Sequence, residues 1–315
     1  MAKWPRTPDG QMATPGARPI GHGESGGDVW ADWLGRRRDG GSPARRLQTL
    51  DRLAPVRDQV LAAAAIAPGD VVVDVGCGDG MLGLAALAQV GEGGRVVFLD
   101  VSAALLDRCR AGAEELGLRH RAAFVQADAA DLAPLGSSFA DAVMTRSVLI
   151  YVADKARAFA EFRRVLRPGG RLSVWEPINA HGFPEPDERL AGYDVGQLAT
   201  LAAKVREVFE RRQPRATSPM LDFDERDLLR LAGEAGFTDL RLTLEVEDRA
   251  PEPVDDFDVF LDSSPNPLAP TLREAVEEAL TPYEADDFLA HLRPLAEAGD
   301  GCYRSAVAHL VGRAA

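Results

Sequence analysis

Val71-Val72-Val73-Asp74-Val75-Gly76-Cys77-Gly78-Asp79-Gly80 reads as a strand that ends in an acid and runs directly into three glycines at alternate positions. A β-branched run of this kind suits a strand covered on both faces, as in a parallel sheet. Gly76, Gly78 and Gly80 permit backbone angles closed to other residues, so a ligand can lie almost on the main chain. Asp79 or Gly80 then opens a helix bearing Met81, Leu82, Leu84, Ala85, Leu87 and Ala88, whose first free N–H groups could face a carboxylate or phosphate. Strand, turn and helix together predict a nucleotide-type site in an open α/β sheet.

Spacing bears on which nucleotide. The dinucleotide fingerprint needs Gly or Ala three residues after its second glycine, and that position here is Met81. Asp74 adds a carboxylate beside the turn, which repels phosphate and suits a ligand with an ammonium and a sulfonium. At these residues the chain resembles the class I S-adenosylmethionine (SAM)-dependent methyltransferases, whose first motif is acid-x-Gly-x-Gly-x-Gly. The resemblance implies SAM as cofactor, with Asp74, Gly76, Cys77, Gly78 and Gly80 around its methionine part.

Further matches follow at suitable distances. Arg95 to Leu99 is a second apolar run ending in Asp100, where an acid can take both ribose hydroxyls, and Val101 beside it could pack on adenine. Ala123 to Gln126 reads as a third strand. Asp128 and Ala129 after it match the family position for the adenine amino group, with Asp131 near enough to take the place of Asp128. Asp141 to Thr145 makes strand four, and Arg146 falls where the family lines the methionine end of SAM. Phe159 to Leu172 then reproduces the family's helix, Pro168-Gly169-Gly170 turn and fifth strand. The resemblance is strong over residues 67–180 and thinner outside.

Composition excludes other classes. A formal net charge of −13 in 315 residues disfavours nucleic acid, whose binding needs clustered cations. One basic cluster exists, Arg36-Arg37-Arg38 with Arg45-Arg46, readable as a solvated helix end or as a grip on an acidic substrate. Cys77, Cys109 and Cys302 are scattered without a C-x-x-C pair, which predicts free thiols and no zinc site, and the histidines lack metal-ligand spacing. No long apolar run or signal-type N-terminus is present, so a cytoplasmic protein away from membranes is expected.

The chain divides into a flexible tail over 1–24, a helical cap over 25–66 and a SAM-binding domain over 67–315. Helical insertions are expected at about 183–215 and 251–300. In the cap, Val29, Trp30, Trp33 and Leu34 share a helical face, and Pro55 is placed to start a second helix. Trp30 and Trp33 either anchor the cap or line the acceptor pocket. The amphipathic segment Leu198 to Phe209 is expected as a lid. The fold expected is α/β: a seven-stranded, mostly parallel, doubly wound sheet of the Rossmann-like methyltransferase type, closed by an antiparallel pair near Asp239–Val246 and Tyr303–Val311.

The activity implied is methyl transfer to a small-molecule acceptor. His181 and Tyr151 are the candidate bases for an acceptor hydroxyl, and no metal is called for. Three alternatives stay open: a SAM-binding regulator without turnover, an NAD-dependent oxidoreductase, and arsenite methylation, which Cys109 in a sheet-covering helix makes unattractive. The acceptor's identity and the oligomeric state are not encoded in any motif.

Overall fold

The computed structural model describes residues 27–315; the expected tail at 1–24 lies outside them. Five parallel strands form most of the sheet: β1 (Val71–Val75), β2 (Arg95–Asp100), β3 (Ala122–Gln126), β4 (Ala140–Arg146) and β5 (Leu166–Pro177). Two longer strands, β6 (Phe237–Arg249) and β7 (Tyr303–Ala314), are antiparallel, and the strand order is β3-β2-β1-β4-β5-β7-β6. The order reverses between β1 and β4, which opens a crevice at the carboxyl ends of the parallel strands.

Side chains alternate across the pleat, and the two faces bury separate cores. Val73, Val75, Val97, Leu99, Val143 and Leu172 pack with Phe159, Phe162 and Val165 of helix α5 (Lys155–Val165) and Leu228 and Leu231 of α7 (Glu225–Glu234). Val72, Val96, Phe98, Ala142 and Met144 pack on the opposite face. Their partners are α2 (Pro43–Ala64), α3 (Met81–Gln89) and α4 (Ala103–Glu115). Asp74 shares the pleat side of Val72 and therefore points under α3 rather than out at the crevice.

A third core joins the two expected insertions into one helical layer. Tyr193 and Val195 near a short hairpin, Val205 and Val208 of α6 (Ala199–Arg212), Phe257 of α8 (Phe257–Leu261), Val276 of α9 (Leu272–Ala279) and Phe288 of α10 (Pro282–Ala298) are its members. Among the described residues no helix is long and apolar enough to cross a membrane.

Two local expectations are corrected. Pro55 does not start a helix: α2 begins at Pro43, capped by the Ser42 hydroxyl accepting from Arg45 N–H, and carries Pro55 in its interior. Ser42-Pro43 is the better start signal, because the cap satisfies a free N–H and proline is suited to the first position. Strand five begins before the Pro168-Gly169-Gly170 turn. The chain leaves α5 already extended at Leu166, pairs there with Ala140, bulges with Gly169 at φ +77°, and resumes pairing at Arg171.

Candidate functional site

The turn after β1 is built as its glycines require. Gly76, Gly78 and Gly80 adopt φ of +64°, +56° and +92°, and Gly80 is the N-cap of α3. A Cβ on Gly76 would stand 2.3 Å from Val148 Cγ2, so the turn lies against the loop after β4 with no room for a side chain. Such a turn presents bare backbone to the crevice.

Asp74 works from beneath. Its Oδ2 accepts the Gly83 N–H at 2.8 Å, and the residue is only 1% exposed. Burial pushes its carboxyl up to about 8, against the opposing pull of that hydrogen bond. Gly83, which sequence reasoning passed over, makes this possible: a Cβ there would lie 2.3 Å from Phe98 Cε1 and 2.9 Å from Asp74 Oδ2. Its signal was a small residue inside an otherwise apolar helix face. Gly83→Ala is expected to cost about 1–3 kcal/mol through overpacking, read as a lower urea midpoint with unchanged slope; wild-type stability would refute the close contact.

Asp100 ends β2 with its side chain turned back on the crevice loops. Oδ2 accepts from Gly78 N–H and Oδ1 from Ser102 N–H, both at 2.9 Å. Burial raises its pKa while those backbone donors oppose the rise. The side chain is thus fixed, with accepting capacity left on both oxygens. Val101 is half-buried, and its carbonyl accepts from Gln126. Asp128 bridges back to Asp131 and accepts from Ala130 N–H, which holds it half-exposed beside buried Ala129.

The loop after β4 is held by a residue the sequence analysis missed. Glu176, wholly buried near the end of β5, accepts Val148 and Leu149 N–H through Oε1 and Ile150 N–H through Oε2. Burial pushes its carboxyl up to about 7, opposed by those bonds. Arg146 at the end of β4 donates to Ser147 Oγ, and burial lowers its pKa.

The cap roofs this assembly. Helix α1 (Val29–Gly35) brings Leu34 within 3.3 Å of where a Gly78 Cβ would stand, and Ala31 and Leu34 pack on Leu105 of α4. Trp30 meets Tyr151 edge-on at 4.9 Å, whereas Trp33 Nε1 donates to the Ser264 carbonyl of the helical layer. Trp33 is therefore an anchor. The basic cluster is internally paired at four positions: Arg36 with Asp32, Arg37 with Glu274, Arg38 with Asp39 and Arg46 with Asp79.

The two base candidates differ. Tyr151 sits in a 3-10 turn, and burial together with Glu176 drives its phenol far upward, so it holds its proton. His181, in the turn after β5, places Nε2 3.3 Å from Glu225 Oε2 and stays partly open to solvent.

Residues 73–174 match the family described as methyltransferase domain. Residues 73–174 thus form a methyltransferase domain. An uncharacterized 37.1 kDa protein of a Streptomyces fradiae transposon is 39% identical over 135 residues, which is 42% of this chain and 37% of that protein. A ubiquinone/menaquinone biosynthesis C-methyltransferase of Pectobacterium carotovorum is 32% identical over 149 residues, 43% of this chain and 59% of the relative. The chain thus spans less than two thirds of either relative's length. Among solved structures, a geranyl diphosphate methyltransferase in complex with SAM shares the fold at TM-score 0.50 and 22% identity, covering 89% of this chain and 94% of the other. A Bacillus halodurans protein does so at TM-score 0.50 and 18% identity, covering 82% of this chain and 99% of the other.

Proposed function

We propose that this protein transfers the methyl group of SAM to a small-molecule acceptor, in the cytoplasm. The observation that carries this reading is the closed anion site of α3: the Gly83 N–H, which a diphosphate would use, is already taken by the buried Asp74 carboxyl. Asp79 and Asp100 flank the same turn, and the Arg46 guanidinium beside it is bound to Asp79. A dinucleotide fits this surroundings poorly, and a ligand bearing ammonium, ribose and adenine fits it well. The curated C-methyltransferase relative and the SAM-bound structural neighbour agree in kind.

SAM, when bound, supplies a methyl already activated by its sulfonium. The chain's own residues have to bind, align and exclude water. Asp100 accepts from the ribose, Val101, Asp128 and Ala129 surround the adenine, and the bare turn Gly76-Cys77-Gly78 with the backbone at Arg146 holds the amino-acid end. Alignment of this kind can supply about 7–11 kcal/mol of a displacement barrier. Trp30 and Tyr151 form an apolar wall under the cap. His181, oriented by Glu225, is the group able to accept an acceptor proton; its second ring nitrogen is free for that work.

Calorimetric titration with SAM and its demethylated product tests binding, and a labelled-methyl screen over small metabolites tests transfer. Asp100→Ala is expected to weaken SAM about 10- to 100-fold, the value of hydrogen bonds to a charged group. Unchanged affinity would remove Asp100 from the site, and binding without any transfer would leave a SAM-responsive regulator.

A further inference from the structure

Cys77 and Cys109 come from different elements and meet under the glycine turn. Their sulfurs stand 3.7 Å apart, and the Cys109 thiol donates to the Gly78 carbonyl at 3.3 Å. Both are free and buried, Cys77 between two left-handed glycines and Cys109 on the inner face of α4. The third thiol, Cys302, is remote from them and donates to Asp248.

We propose that Cys77 and Cys109 form a reversible intramolecular disulfide under hydroperoxides, and that this bond switches off cofactor binding at the turn. One thiol, as thiolate, attacks the peroxide; the O–O bond breaks, giving a sulfenic acid and releasing water or an alcohol. The second thiol then displaces the sulfenic oxygen as water, and its proton leaves with that oxygen. Two thiols are oxidised by two electrons in all, and one peroxide is reduced.

A disulfide needs sulfurs about 2.05 Å apart, so the pair must close by roughly 1.7 Å. Cys109 is fixed in α4 beneath the cap, whereas Cys77 is flanked by Gly76 and Gly78 and is the partner free to move. Its movement drags Gly78, whose N–H is held by Asp100. The oxidised turn therefore loses the shape on which the cofactor lies, an effect that rests on the SAM reading above. Burial pushes the Cys77 thiol up, so the closed turn reacts slowly and opening precedes oxidation. A cofactor seated on the turn protects the pair.

The test treats the full chain with hydrogen peroxide, with and without SAM, and reads intact mass, peptide linkage and SAM affinity. Expected are loss of two hydrogens, a Cys77–Cys109 linked peptide, protection by SAM, and an affinity at least tenfold weaker that dithiothreitol restores. Cys109→Ala, or Cys109→Ser if alanine leaves the fold unstable, is expected to bind SAM normally and resist peroxide, while Cys302→Ala remains sensitive. Absence of the linked peptide overturns the disulfide, and linkage with unchanged affinity overturns the switch. Failure of the reduced protein to bind SAM would instead strike the proposed function, since the linkage is scored by mass alone.

Discussion

Glu176→Ala is expected to lower the free energy of unfolding by roughly 2–6 kcal/mol, because it leaves two buried N–H groups and one part-buried N–H without an acceptor. Those donors, on Val148, Leu149 and Ile150, belong to the loop that meets Gly76 and presents Tyr151 to the cap. Water cannot readily replace the carboxylate, since Glu176 has no exposed surface. Loss of the anchor should therefore loosen Tyr151, Trp30 and the roof of the crevice together. Glu176→Gln separates charge from geometry: one amide oxygen can still accept, but its NH2 group cannot accept from the remaining N–H. Its cost should fall between wild type and alanine. Urea unfolding followed by circular dichroism measures both, and an alanine variant within about 1 kcal/mol of wild type would show that the loop finds other partners.

The crevice was legible where chemistry is written locally. Val71–Val75 is a strand, Gly80 caps the helix, and Asp100 ends β2, because β-branching, positive φ and sheet burial each act over a few residues. The seven-stranded, mostly parallel sheet and its closing antiparallel pair also followed, since resemblance carried them once the turn was placed. What escaped depends on contacts far apart in sequence. Glu176 reads as an ordinary acid in an apolar strand until β5 brings it against residues 148–150. Cys109 reads as a small packing residue until α4 lies under the turn. The basic cluster at 36–46 looked like a choice between solvent and substrate; in the fold Arg36 and Arg38 pair within the cap, while Arg37 ties it to Glu274 of the helical layer and Arg46 to Asp79 of the turn. Pro55 misled because a proline's fixed φ suits a helix start, and nothing local announces that Ser42-Pro43 has already provided one.

A stability that falls between pH 7 and 8 is the second large consequence of the site. Asp74 titrates near 8 when folded and near 3.8 when unfolded, so the folded state holds a proton that the unfolded chain has lost. With a raised folded value, the stabilisation is complete below pH 3.8 and is lost as pH rises toward 8. Glu176 behaves alike from 4.5 to about 7. Buried His309, whose pKa is lowered, acts in the opposite direction only at pH values near or below its ordinary range. Between pH 7 and 8 Asp74 therefore dominates, and linkage sets the loss at about 1 kcal/mol. Asp74→Asn, which keeps an acceptor for Gly83 N–H without an ionisable proton, is expected to flatten that part of the profile; an unchanged slope in urea midpoints would assign the proton elsewhere. The same proton has a second effect under the methyl-transfer reading. A cationic cofactor seated on the turn above Asp74 favours the carboxylate, so SAM should bind more tightly as pH rises through this interval, releasing a proton that calorimetry in buffers of different ionisation heat detects. Apo stability and cofactor affinity thus move in opposite directions with pH, and Asp74→Asn should uncouple both from it.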